Sequence, residues 1–117
     1  MPQPLPRAER ANRLVLGGRV EAVEPARVTP GGVPIATFLL AHRSHQCEAG
    51  LPREAWLRIR VLAAGDLAPR AAALAVGAEV EVEGFLSRSS YRREPTHLAL
   101  HAHTLRIVER NEPIHEE

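Results

Sequence analysis

Glu54-Ala55-Trp56-Leu57-Arg58-Ile59-Arg60-Val61 alternates apolar and polar or aromatic residues without a break. A strand sends successive side chains to opposite faces, so Ala55, Leu57, Ile59 and Val61 share one face and Trp56, Arg58 and Arg60 the other. The first set predicts a core. The second sets the chain's single tryptophan beside guanidinium groups. A flat aromatic next to cations is what an unpaired base and its phosphates require. A half-buried edge-strand tryptophan over a solvated arginine face has the same pattern, and this strand alone leaves both readings open.

The flanking stretches supply the rest of an all-β chain. Residues 14–23 predict a strand with Leu14, Leu16, Val20 and Ala22 on one face, and the Gly17-Gly18 pair inside it predicts a bulge or sharp bend. Residues 24–32 hold Pro25, Pro30, Gly31 and Gly32, a turn cluster with Arg27 near its base. Residues 34–42 form the second strand. There Ile35, Thr37, Leu39 and Ala41 alternate with Ala36, Phe38, Leu40 and His42; both faces are apolar, so the strand is buried on both sides or covered by another subunit. Residues 43–53 predict a polar loop. Residues 67–76 are Ala- and Leu-rich near helical spacing, with Asp66 as N-cap and Gly77 as stop. Residues 78–87 return to alternation with Glu79, Glu81 and Glu83 outward. Arg88 to Pro95 is a basic loop, and residues 97–108 are the last strand, whose change of parity predicts a bulge near His103 and Thr104. Three strands, a short helix and two strands is the order of the OB-fold, a five-stranded Greek-key barrel with its helix between strands 3 and 4. Residues 1–11 are expected to be a disordered leader, residues 12–109 the OB-fold domain, and residues 110–117 a short acidic tail.

Composition bounds the function. A chain of 117 residues and 12.8 kDa fits one domain. With 44% hydrophobic but only 3% aromatic residues, the core must come from Val, Leu, Ile and Ala. The net charge of +1 gives no global basic signature, so nucleic-acid contact has to rest on local patches. All 15 basic residues are arginine, which pairs phosphate and stacks better than lysine. The lone Cys47 forms no internal disulfide, and the absence of an apolar membrane run or signal segment sets an expectation of a cytoplasmic protein with no membrane partner.

In an OB-fold, the face of strands 2 and 3 and the loops joining strands 1–2 and 4–5 bind oligonucleotides. Trp56, Arg58 and Arg60 fall on that face, Arg27 in the first loop, and Arg88, Tyr91, Arg92 and Arg93 in the second. His42, His45 and Cys47, and His97, His101 and His103, match no metal-ligand spacing. No metal or cofactor is expected. Ser44, Ser87, Ser89 and Ser90 lack a nucleophile context, no glycine-rich loop precedes a helix, and the Glu79, Glu81 and Glu83 row reads as a solvated edge. Catalysis is not expected.

Asn12-Arg13-Leu14-Val15-Leu16-Gly17-Gly18, Thr29-Pro30-Gly31-Gly32-Val33-Pro34 and Phe38-Leu39-Leu40-Ala41-His42-Arg43-Ser44 resemble the N-terminal half of bacterial single-stranded DNA-binding proteins. With Gln46, Glu48-Ala49-Gly50, Arg53, Ala55-Trp56, Val76-Gly77, Gly84-Phe85 and Leu100-His101-Ala102, the chain is most similar to the primosomal replication protein N (PriB) family over residues 12–108. The resemblance implies an OB-fold homodimer that binds single-stranded DNA and joins the restart helicase and a helicase-loading partner at stalled forks. It places DNA contacts at Arg27, Arg43, Trp56 and the loop around Ser90, Arg92 and His97. The chain departs from the family at Leu51, where an aromatic is usual, and at Ser90 and His97, where loop lysines are usual; Arg88 and Arg93 offset the second change. An accessory role in replication restart is the leading expectation. An OB-fold adaptor that mainly binds proteins is the alternative, favoured by the small net charge and Leu51.

Overall fold

The computed structural model describes residues 9–88 and 97–108. Their elements run β1 (Leu14–Val23), β2 (Arg27–Val28), β3 (Pro34–Glu48), β4 (Leu51–Ala64), a 3-10 turn (Gly65–Leu67), α1 (Ala68–Ala72), β5 (Glu79–Arg88) and β6 (Leu98–Ile107). The sheet order β1-β5-β6-β4-β3 closes on itself because β3 also pairs with β1, and β2 adds two residues alongside β3. This is a closed five-stranded OB-fold barrel with one short helix. Closure removes the open edges on which a small sheet would aggregate.

Most inward side chains are those that alternation singles out, with two corrections. Leu57 is 38% exposed at the base of the β3–β4 hairpin. Ala22 is exposed because the register shift at Glu21 reverses the faces of β1, so that Val23 packs on the core instead. Val20, Ala36, Phe38, Leu40, Val61, Val80, Val82 and Leu100 are all fully or almost fully buried. Burying an aliphatic or phenyl side chain of this size stabilises by about 1.5–3 kcal/mol, so this aliphatic set and one phenylalanine suffice without more aromatics. Ala68, Ala71 and Leu74 close one end of the core. At the start of β1, Asn12 Nδ2 donates to the Leu86 carbonyl at 2.8 Å while the Leu86 N–H donates to Asn12 Oδ1 at 2.9 Å, so a side-chain amide imitates a neighbouring strand.

Two strands bulge. Glu83 pairs with Thr104 but Gly84 with Ala102, leaving His103 as the extra residue, where the parity change predicts it. Gly84 permits this because a Cβ there would lie 1.9 Å from the His101 carbonyl oxygen. In β1 the bulge is not at the Gly17-Gly18 pair. Val20 pairs with Leu40 and Ala22 with Leu39, so Glu21 is the extra residue. Gly18 instead lets β3 come close, since a Cβ there would meet the Ala41 carbonyl oxygen at 2.2 Å.

Two further expectations are corrected. Residues 43–53 are not a loop: β3 and β4 stay paired from Ile35↔Ala64 out to Glu48↔Leu51. Ala49 (φ 54°) and Gly50 (φ 78°) make the turn, with both central residues left-handed as a two-residue hairpin demands. This arm runs on beyond the buried part of the barrel, so neither of its faces needs apolar side chains and the alternation fades. The helix is also shorter than residues 67–76. A 3-10 turn leads into the five-residue α1 with Pro69 in its first turn, and no side chain, Asp66 included, caps either segment. One turn is enough to bring Ala68, Ala71 and Leu74 over the core; Val76 beyond it is exposed. The second face of β3 is covered within the chain at Thr37, which is 5% exposed, while Leu39 and Ala41 remain half-buried.

Candidate nucleic-acid interface

Trp56 lies outward on β4, 64% exposed. Arg43 of β3 stands directly opposite it, Ala41 opposite Arg58, and Leu39 opposite Arg60. Directly opposed residues hold their Cβ atoms about 5 Å apart, so the two side chains leave the sheet as immediate neighbours. The small Ala41 forms the floor of a shallow groove of about 490 Å³, with Arg19, Arg43, Trp56 and Arg58 around it and Glu21 and Glu79 at its β1 and β5 side. Arg19, placed there by its pairing with Ala41 and Glu79, is a site residue that the alternation of β4 does not reveal. Its signal lay in the β1 pattern, one position after the glycines.

The arginines of this face are held by carboxylates. Arg43 Nε is 3.4 Å from Glu54, Arg58 Nε 2.9 Å from Glu21, and Arg60 Nη2 3.0 Å from Glu24. Glu21 reaches Arg58 because it is the bulge residue of β1, turned out of the regular pleat. Arg60 is the most enclosed of the three, and its Nε is buried without a hydrogen-bond partner.

The other expected residues are spread out. Arg27 pairs with Ile35, eight residues along β3 from Arg43, or about 27 Å of strand. It is therefore not part of the Trp56 cluster. Arg88 ends β5 opposite Leu98, and the next residue of β6, Ala99, pairs with Arg60. The stems of the late loop thus rise beside β4, on the Arg58 to Arg60 stretch. Tyr91, Arg92 and Arg93 lie outside the described residues, as does Ser90. Arg43, Trp56 and Arg58 are brought together; Arg88 lies across β6 from them.

The histidines have separate roles. His42 Nδ1 donates to the Gly17 carbonyl at 2.7 Å, and its Nε2 lies 2.7 Å from the Ser44 hydroxyl, to which Gln46 Nε2 donates at 2.8 Å. This chain of bonds continues the inward side of β3 into the hairpin arm. His101 stacks on Phe85 with ring centroids 4.9 Å apart and planes 5° from parallel. Its Nε2 is buried with no partner, and burial pushes the imidazole below its usual 6.5. Among the described residues no group of three or more His, Cys, Asp or Glu is arranged to hold a metal, and no helix there is long and apolar enough to cross a membrane.

Barrel, outward tryptophan and paired arginines together define an OB-fold of the oligonucleotide-binding kind. Residues 12–104 match the profile of "another single-strand binding protein family". The replication restart protein PriB of Photorhabdus laumondii is 41% identical over 99 residues, 84% of this chain and 94% of that one. The solved structure of PriB from Ralstonia solanacearum superimposes with a TM-score of 0.74 at 32% identity, over 85% of this chain and all of that one. A single-stranded DNA binding protein from Thermus aquaticus matches with a TM-score of 0.68 at 28% identity, over 85% of this chain and 50% of that one. The chain belongs to the PriB family of replication restart proteins, within the single-strand binding proteins.

Proposed function

We propose that this protein is a non-enzymatic accessory of replication restart that binds single-stranded DNA on the outer face of β3 and β4. A base stacks on Trp56 while Arg43 and Arg58 pair the adjoining phosphates. Arg88, Tyr91, Arg92 and Arg93 extend the contact through the late loop, and Arg27 takes a more distant stretch of backbone. The observation that carries this reading is the exposed indole directly opposite Arg43. The same proposal has two copies pairing, and has the DNA-bound protein stabilise the restart helicase and meet a helicase-loading partner. Light scattering at twice 12.8 kDa checks the first of these.

The chain's one tryptophan is the probe. Titration with oligo-dT should quench its fluorescence, and log affinity should fall by a few units per decade of salt. Absence of quenching at low salt would sink the DNA reading. One observation favours the adaptor alternative: Arg43, Arg58 and Arg60 all hold carboxylates, so the face is not strongly basic. Capture of the restart helicase that persists in Arg92→Ala/Arg93→Ala while DNA binding vanishes would show that protein contact stands without DNA contact.

A further inference from the structure

The arginines along the Trp56 side of β4 do not wait unpartnered for phosphate. Glu54 occupies Arg43, Glu21 occupies Arg58 and Glu24 occupies Arg60. Glu24 accepts a hydrogen bond from Arg60 Nη2, and Glu54 and Glu21 stand as ion-pair partners of Arg43 and Arg58, so each carboxylate lies where a phosphate oxygen would approach. Their positions are built in. Glu21 is aimed by the β1 bulge, Glu24 is anchored by its own N–H donating to the Thr37 carbonyl at 2.9 Å, and Glu54 lies two residues before Trp56 on the same strand face. The ion pair Arg53–Glu48, at 2.9 Å, sits on the opposite face of the hairpin arm, because Arg53 pairs with Gln46 and both have the parity of the core residues.

We propose that Glu21, Glu24 and Glu54 are resident competitors of phosphate, which set the affinity of this face for a nucleic-acid backbone and flatten its dependence on salt. The proposal rests on the DNA reading above. A phosphate approaching Arg58 must displace Glu21, and the displaced carboxylate stays within a few ångströms of it. Like charges at about 4 Å in water repel enough to cost about fivefold in affinity. Salt responds for a second reason. An arginine that neutralises a phosphate of single-stranded DNA steepens the log-log slope by about 0.7 through counterion release. If that arginine gives up a carboxylate, the carboxylate takes up a cation in its turn, and the net release falls toward zero.

The test is a titration of fluorescein-labelled oligo-dT with the full chain, read by anisotropy at several salt concentrations, with a thermal melt on each variant. Glu21→Gln and Glu54→Gln should each bind about fivefold more tightly, with slopes steeper by up to about 0.7. Glu24→Gln should gain less, since Arg60 is more enclosed. Glu48→Gln removes the same charge from the other face and should match the wild type. Glu54 lies in the hairpin arm, away from the bulge, so its variant stays informative even if Glu21→Gln disturbs β1. Affinities and slopes of Glu21→Gln and Glu54→Gln equal to those of Glu48→Gln would overturn this proposal while leaving the DNA reading in place. So would weaker binding by folded variants. No binding by any protein at low salt would remove the DNA reading, and this proposal with it.

Discussion

Arg43 and Trp56 face one another across β3 and β4 as a directly opposed pair. One nucleotide can therefore engage both, its base on the indole and its phosphate on the guanidinium. Stacking contributes about 1–3 kcal/mol per base. Trp56→Ala should weaken oligo-dT binding about tenfold or more and leave the salt slope unchanged, because no phosphate contact is lost. Arg43→Ala should flatten the slope by up to about 0.7, with Glu54 limiting the change. In the double variant the losses should be less than additive. Strict additivity would place the two contacts on different nucleotides.

Gly84→Ala tests the β5–β6 bulge. The added methyl would sit 1.9 Å from the His101 carbonyl oxygen, and relief requires moving backbone rather than a flexible side chain. Overpacking of this sort costs about 1–3 kcal/mol, and a backbone clash puts Gly84→Ala at the upper end. Urea unfolding should show a large fall in midpoint. A shift within error would mean that β6 can move away from β5 freely.

The hairpin turn carries the opposite opportunity. Ala49 has φ 54°, a conformation in which a Cβ crowds the backbone at a cost of about 1 kcal/mol and which glycine adopts freely. Ala49→Gly should raise stability by a few tenths to about 1 kcal/mol, the unfolded chain's added freedom offsetting part of the gain. Differential scanning calorimetry would show a higher Tm; a lower one would mean that the arm does not keep this turn in solution.

His101 predicts a pH dependence. Burial lowers its folded-state pKa below 6.5, so the unfolded chain binds the proton more readily than the folded one. The associated stability is fully present above about pH 6.5 and is lost as pH falls from there toward the lower folded value. His101→Phe keeps an aromatic against Phe85 but cannot titrate. The drop in Tm between pH 7.5 and pH 5 should be smaller in this variant than in the wild type. Equal drops would assign the effect to other groups.

Much of the barrel was legible because burial imposes a period of two. The Trp56 strand, the acidic row of β5 and the parity change at His103 all follow from which side chains must avoid water. Residues 43–53 broke that logic: once β3 and β4 pass the barrel, backbone hydrogen bonds and exposed ion pairs such as Arg53–Glu48 hold them together, and those impose no apolar alternation. The helix misled for a related reason. Alanine and leucine favour helix wherever they occur, but here α1 stops at Ala72 and Val76 beyond it is exposed, so no burial favours a longer helix. At the site, Trp56 and Arg58 could be read along a single strand. Arg43, in a stretch expected to be a loop, comes only from the family resemblance, and its place opposite Trp56 comes from the pairing of β3 with β4. The approach of Glu21 to Arg58 depends on a bulge and on a pairing between distant strands. The separation of Arg27 from Trp56 depends likewise on how far β3 runs. Neither is a property of a local stretch of sequence.

The parallel pairing of β4 with β6, where Arg60 to Leu62 meets Ala99 to His101, has a temporal consequence. Its two sides are separated by nearly forty residues, whereas β3 and β4 are joined by a two-residue turn. Closing the long loop must wait until most of the chain has been synthesised, and such non-local contacts slow the search for the native state. A ribosome-bound fragment ending before Leu98 would have the β3–β4 ribbon complete but β4 and β5 without the strand that joins them. In that interval the nascent protein is most exposed to misassembly, and tethering its two ends or cutting within the long connection should change how fast it matures more than how stable it finally is.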